Sequence, residues 1–305
     1  MKIYLGGHSY THKHVRKKHY LLSYFYIGKK ERGLIPKLAP LFLDSGAFSA
    51  WRRGSIINIK EYMAFIREYE KYLGVYANLD VIGDDKATMD NQRIMESEGL
   101  KPLPTYHRSE DEYYLERYLE THSHIALGGM VGDTPTVLAD WLDRVWDNYL
   151  LRSDGTPKVK VHGFGVTSLR ILKRYPWYSV DSTSWQAFAR YGVVYTPKWK
   201  DGRWDYLHEN GATMVATSEK STKNIDPKSK HIDVLPSVTR EQVFRYFEEK
   251  GCKFGDKEEN SLMNSTPERE KLNITYFLDL EEALGKYPHM KRIPKAKGFS
   301  FDKNT

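Results

Sequence analysis

The chain of 305 residues holds one cysteine, Cys252. A single thiol excludes an internal disulfide and any multi-cysteine zinc site, and it fits a reducing compartment. Long apolar runs are missing as well. None approaches the roughly 20 residues that cross a bilayer, so no membrane partner is expected. The N-terminus, MKIYLGGHSY, has no extended apolar core behind its lysine. No secretory signal is visible there, which points to the cytoplasm. No internal repeat stands out, and no low-complexity segment beyond the polar stretch GDKEENSLMNSTPEREK, which reads as a surface loop. What the chain does have is 40% hydrophobic residues, enough for a globular protein with a large core in one or two domains.

The formal charge is +7, from 47 basic and 40 acidic residues. So modest an excess matters where it clusters. The run HKHVRKKH, residues 12–19 with Lys17 and Lys18 inside it, suits either a solvated loop or a polyanion partner. The run KRIPKAK, residues 291–297, reads as an ordinary tail. Histidines 8, 12, 14 and 19 share their spacing with no carboxylate or thiolate, so no metal is expected.

Short apolar runs alternate with amphipathic ones. The runs are KIYLGG, PLFLDSG, GVYANLDVIG, PLPTYH, HIALGGMVG, VKVHGFGV and WYSVDS. Helical patterns separate them at residues 59–73, 86–98, 110–121, 136–151 and 169–175, with starts marked by Asp133-Thr134-Pro135 and Val166-Thr167-Ser168. This rhythm implies a parallel sheet. Polar or glycine residues close nearly every strand, which suits an α/β (β/α)8 TIM-type barrel whose working face gathers all the carboxyl ends. Three segments compete for the eighth strand: VVYTP from Val193, ATMVAT from Ala212 and HIDVL from His231. The barrel is expected over residues 1–238, with a basic, aromatic insertion near 197–230 and a hairpin around Asp201-Gly202. A helical extension over 239–305 follows, with one helix from Thr239 to Lys250, stopped by Gly251, and a last one from Asn273 to Leu284.

Three aspartates end apolar strands: Asp44 in LFLD, Asp80 in YANLD and Asp181 in YSVD. An unpaired buried carboxylate is costly, so each needs a partner or a substrate. A single one reads as a helix cap or an ion pair. Three at the same end of one barrel would share a mouth, and paired acids suit glycosyl transfer. Gly128 and Gly129 allow either close approach of backbone to a ligand or tight strand–helix packing, and His162-Gly163-Phe164-Gly165-Val166 offers the same choice one strand later.

In order, these strand ends resemble the tRNA-guanine transglycosylase family. Its Asp-Ser-Gly-Gly-aromatic segment is matched by Asp44-Ser45-Gly46-Ala47-Phe48, and its base-reading Asp by Asp80. Its Gly-Gly-Leu-type strand resembles Leu127-Gly128-Gly129-Met130, and its nucleophile strand Ser179-Val180-Asp181. The resemblance covers Lys2 to about Trp185. It implies that Asp181 attacks C1′ of a nucleotide and displaces guanine, and that Asp44 transfers protons. Asp80 would read the guanine N1–H and amine, the Gly129 amide would donate to O6, and Phe48 would stack on the base. Ser45, His107, Gly128, Met130 and His162 complete the implied base site. No cofactor is implied.

Three departures follow. Ala47 replaces a glycine and is tolerable only away from φ > 0. Tyr106-His107 stand where the family has Gln. The zinc subdomain has no counterpart, which makes the chain look like the compact phage DNA-guanine transglycosylases that insert preQ0-like 7-deazaguanines. The implied partners are DNA, with the target base flipped out or single-stranded, and a 7-deazaguanine base. Arg52, Arg53, Lys198, Lys200 and Arg203, with Lys17 and Lys18, would hold the polynucleotide, and Trp199 or Trp204 would fill the vacated stack unless they pack in the core. Rival readings are the same chemistry on tRNA, a barrel that only binds nucleic acid, and a sugar hydrolase.

Overall fold

The computed structural model describes residues 1–7, 19–221 and 229–293. Lys17, Lys18, histidines 8, 12 and 14 and residues 294–297 of the basic tail lie outside the described residues. Eight short strands form one parallel sheet: β1 (Lys2–Gly6), β2 (Tyr20–Ser23), β3 (Leu41–Asp44), β4 (Leu73–Tyr76), β5 (Thr105–His107), β6 (His124–Gly128), β7 (Lys160–Gly163) and β8 (Ser179–Ser182). Their spatial order, β4-β3-β2-β1-β8-β7-β6-β5, is sequence order read around a ring, as in a TIM-like fold. Just after β4 and just before β5 the chain makes a further parallel contact. Ala77 bridges Leu103, Asn78 N–H donates to Leu103 O at 3.0 Å, and Leu103 N–H donates to Tyr76 O at 2.8 Å.

Side-chain alternation explains where the polar strand ends point. Ile3 and Leu5, Tyr20 and Leu22, Leu41 and Leu43, and Ile125 and Leu127 face the core under the helices. The residues between them, Tyr4, Leu21, Phe42 and Ala126, join Ala77 and Leu103 in a separate inner cluster, flanked by Phe164. Period-two alternation then sends Asp44, two residues after Phe42, to the inner side. The same parity turns Asp181 inward beside outward Val180, and His107 inward beside outward Tyr106. Burying Phe42 completely contributes about 2–3 kcal/mol and fixes the register on which Asp44 depends.

Seven of the strands are those expected from the sequence. The remaining one corrects the expectation: it is β2, second along the chain, and none of the three competing segments. Beyond Ser182 come β9 (Val193–Thr196), β10 (Lys198–Lys200), β11 (Arg203–Asp205), β12 (Thr213–Ala216) and β13 (Ser229–His231). Strands β9, β12 and β13 make a second, three-stranded sheet with its own apolar cluster around Val194, Val215, Tyr246 and Phe247. Strands β10 and β11 form the expected hairpin, turning through Asp201 (φ 50) and Gly202 (φ 77).

The helices are α1 (Lys29–Arg32), α2 (Ile35–Leu38), α3 (Ala47–Arg52), α4 (Ile59–Tyr69), α5 (Asp85–Ser97), α6 (Glu112–Thr121), α7 (Pro135–Val145), α8 (Leu169–Leu172), α9 (Ser184–Arg190), α10 (Ser237–Glu249) and α11 (Thr266–Leu284). Asn58, Asp84, Asp111 and Thr134 cap α4 to α7 with their side chains. Helix α10 starts at Ser237 rather than Thr239. Helix α11 starts at Thr266 rather than Asn273, because Ser265 caps it and Pro267 stands in its first turn. It thereby takes up the end of the stretch read as a surface loop. Among the described residues no helix is long and apolar enough to cross a membrane.

Helix α11 locks the second sheet to the first. Glu281 accepts the Ile3 N–H at 2.7 Å, and Tyr276, Phe277 and Leu280 enter the main core. Asn273, fully buried, accepts from Tyr195 N–H and donates to Trp185 O and Val193 O. Asn273→Ala would strand one buried donor and two carbonyls, so it is expected to cost about 3 kcal/mol. Urea unfolding checks this, as a lower midpoint with an unchanged slope.

Candidate active site

The strand ends enclose a cavity of about 430 Å³, lined among others by Asp44, Ser45, Phe48, Asp80, His107, Gly128, Gly129 and Asp181. Eight of the ten residues expected for catalysis and base binding thus share one space. The other two do not line it. Met130 is buried and lines a neighbouring groove of about 900 Å³, joined to the cavity at Val131 and Gly165. His162 lies fully buried among Tyr4, Phe42 and Phe164, with ring centroids 6.0, 4.6 and 4.6 Å away. Its Nδ1 is 2.9 Å from Ser179 Oγ, and its Nε2 is 3.5 Å from Asp181 Oδ1. His162 therefore lies behind Asp181 and outside the cavity lining, with no hydrogen bond at its Nε2 among the described residues.

Asp44 sits at the end of β3, where the chain must turn at once. Gly46 makes that turn at φ 78, and a Cβ there would lie 2.4 Å from Ser23 Oγ. Ala47 already belongs to α3, and Asp201 is the one non-glycine residue with positive φ among the described residues, so the departure at Ala47 carries no strain. Burial, then the charges of Asp181 and Asp80, push the Asp44 carboxyl up to about 7. At neutral pH it is divided between acid and carboxylate, the state a proton-transfer group needs.

Asp181 is nearly buried at the end of β8. Its Oδ1 accepts the Gly165 N–H at 2.7 Å. Gly165 has φ 67, the left-handed region that leaves its amide free to aim at the carboxylate. Neither this glycine nor Phe164, also in the cavity wall, was singled out as a site residue by sequence reasoning, although the HGFGV run holds both.

Asp80 and His107 face one another across the cavity wall, with Nε2 3.3 Å from Asp80 Oδ2. Glu110, which sequence reasoning missed, lies 2.7 Å from the other ring nitrogen. The His-x-x-Glu spacing was the available signal. Burial opposes a charge on His107, but Asp80 and Glu110 outweigh it and raise its pKa to about 10. Gly128 makes room for this ring: a Cβ there would meet His107 Cδ2 at 2.6 Å. Its lack of a side chain thus serves His107 as well as any ligand. Gly129 (φ 72) turns beside Arg108.

Phe48 and Trp51 stand exposed at the rim, stacked at 5.9 Å, with the Arg52 guanidinium 5.9 Å from the Phe48 ring and Arg53 5.0 Å from Tyr26. Lys198 donates to Thr213 Oγ1 at 2.8 Å and lines the larger groove. Lys200 and Arg203 are exposed on the hairpin and do not line the cavity. The tryptophans expected to replace a flipped base are engaged elsewhere. Trp204 donates to Glu249 at 2.5 Å, and Arg245 covers Trp199 at 3.8 Å. Trp185 is buried and donates to Gly6 O. Among the described residues no cluster of three metal-ligating side chains is found. Compared with known proteins, the chain matches no family model and no curated protein sequence.

Proposed function

We propose that the protein exchanges guanine in a polynucleotide, DNA in the first instance, for a 7-deazaguanine base. In this reading the curled sheet is a closed (β/α)8 barrel whose seam is the Ala77–Leu103 bridge. One observation carries the proposal: Asp44, Asp80 and Asp181, from separate strand ends, meet in a single cavity sized for a small ligand. A carboxylate trio at one mouth has no structural use that a helix cap would not serve more cheaply.

The chemistry is two displacements. Asp181 attacks C1′, the C1′–N9 bond breaks, and protonated Asp44 gives its proton to the departing guanine. An Asp181–C1′ ester and an Asp44 carboxylate result. The incoming base then loses its N9 proton to Asp44 and attacks C1′, which restores the Asp181 carboxylate. Every proton taken is returned, and sugar configuration is retained. Asp80 reads the amidine edge of either base. Phe48 covers one face, and the exposed Arg52 and Arg53 face phosphates at the rim.

The test is mass spectrometry of nucleosides from DNA and, in parallel, tRNA incubated with the protein and 7-cyano-7-deazaguanine. Loss of deoxyguanosine matched by gain of the deaza nucleoside is the expected result. Exchange in tRNA alone moves the proposal to the other polynucleotide. Guanine release without incorporation makes the protein a hydrolase, and no change in either nucleic acid refutes the reading.

A further inference from the structure

Three side chains form a chain of contacts along one wall of the cavity. Glu110 holds His107 twice: Oε2 accepts the His107 backbone N–H at 2.9 Å, and Oε1 lies 2.7 Å from Nδ1. His107 Nε2 lies 3.3 Å from Asp80 Oδ2. The second oxygen, Asp80 Oδ1, is buried and has no hydrogen-bond partner among the described residues. An imidazole flanked by carboxylates on both nitrogens is a cation that donates from each. Gly128 admits the ring by lacking a Cβ. Asp44 in the same cavity and Tyr62 of α4 both feel the Asp80 charge. Arg108 is paired with Asp133, and the Tyr118 phenol of α6 is held neutral by burial and by the charges of Glu110 and Asp80.

We propose that Glu110 and His107 are positioning residues that hold the Asp80 carboxylate in place, with one oxygen tied back and Oδ1 presented to the N–H edge of a guanine-type base. This rests on the reading of the cavity as a base site. A buried acceptor without a partner is costly, and a ligand donor that satisfies it recovers that cost on binding. His107 cannot serve as a neutral ring. One nitrogen would then turn a lone pair toward a carboxylate, and Asp80 would rotate away.

Glu110→Gln isolates the effect, because it keeps the size and one hydrogen bond but removes the charge. Glu110 supplies the smaller part of the upward shift and Asp80 the larger, so the His107 pKa falls from about 10 toward neutrality and the ring gives up its proton more readily as pH rises. Acid returns it. Calorimetric titration of the full chain with free 7-cyano-7-deazaguanine at about pH 6 and about pH 8 reads this out. Wild type is the reference at each pH, because Asp44 in the same cavity titrates at about 7. The variant is expected to bind about tenfold more weakly at the higher pH and to recover at the lower. A general folding defect would weaken binding at both. Unchanged affinity in Glu110→Gln, or a loss that acid does not rescue, overturns the positioning role while leaving the base site in place. A wild-type protein that binds no guanine-type base overturns the base-site reading, and this inference falls with it.

Discussion

Asparagine in place of Asp181 is expected to slow base exchange by at least about four orders of magnitude. The carboxylate is the only group at the end of β8 that can form the sugar ester, and a neutral amide cannot displace a purine. The change is otherwise mild. An asparagine oxygen can still accept the Gly165 N–H, and the surrounding apolar floor of Tyr4, Phe42 and Phe164 is untouched. Unfolding should therefore shift by no more than about 1 kcal/mol, which separates loss of chemistry from loss of structure. Two measurements check it. Single-turnover incorporation of labelled 7-deazaguanine should fall to background. A denaturant-resistant protein–DNA adduct, formed by wild type when no incoming base is supplied, should be missing from the variant. Exchange at wild-type rates by Asp181→Asn would remove the ester from the mechanism.

Asp44→Asn should lose about two to four orders of magnitude in exchange, the usual worth of a general acid–base group, yet gain stability. The sign follows from the raised pKa. Asp44 titrates at about 7 when folded and near 3.8 when unfolded. The folded state holds the proton more tightly, so the stabilisation is complete below about pH 3.8 and is lost as pH rises to about 7. Above that the wild type carries a penalty of up to roughly 4 kcal/mol from one buried charge among three. Asparagine has no charge to bury. Urea midpoints should favour the variant at about pH 8, and the gap should close toward about pH 4. A variant less stable than wild type at the higher pH would show that Asp44 is held ionised by contacts outweighing its burial. The same ionisation predicts that exchange limited by guanine departure declines as pH rises through 7, since the acid form is consumed.

Much of this arrangement was legible in the chain. The LFLD and YSVD endings stand out because a carboxylate closing an apolar run violates local pattern, and such violations gather at functional sites. Strand β2 did not stand out. YLLS is four residues long, follows a basic run rather than an amphipathic one, and ends in serine rather than an acid. Val193 to Thr196 looked like a better strand, and it is one, but in the second sheet. Periodicity reports strand character and leaves pairing partners open. His107 was expected to touch the base directly. Its contact with Glu110 is local, three residues on, but its contact with Asp80 depends on two loops meeting, which no local pattern encodes. His162 was misplaced for a related reason: its parity points inward, but Tyr4, Phe42 and Phe164 fill the space beneath the cavity and leave it below the floor.

Between the segment after β4 and the segment before β5 run two backbone hydrogen bonds, at Asn78 and Leu103, whereas β1 and β8 pair through four residues in register. Asp80 and His107 stand just past that join, one on each side. They clasp the sparsest stretch of the wall with an ion pair. A ligand that engages Asp80 must therefore brace the wall as it binds, so affinity and resistance to local opening draw on one shared free energy.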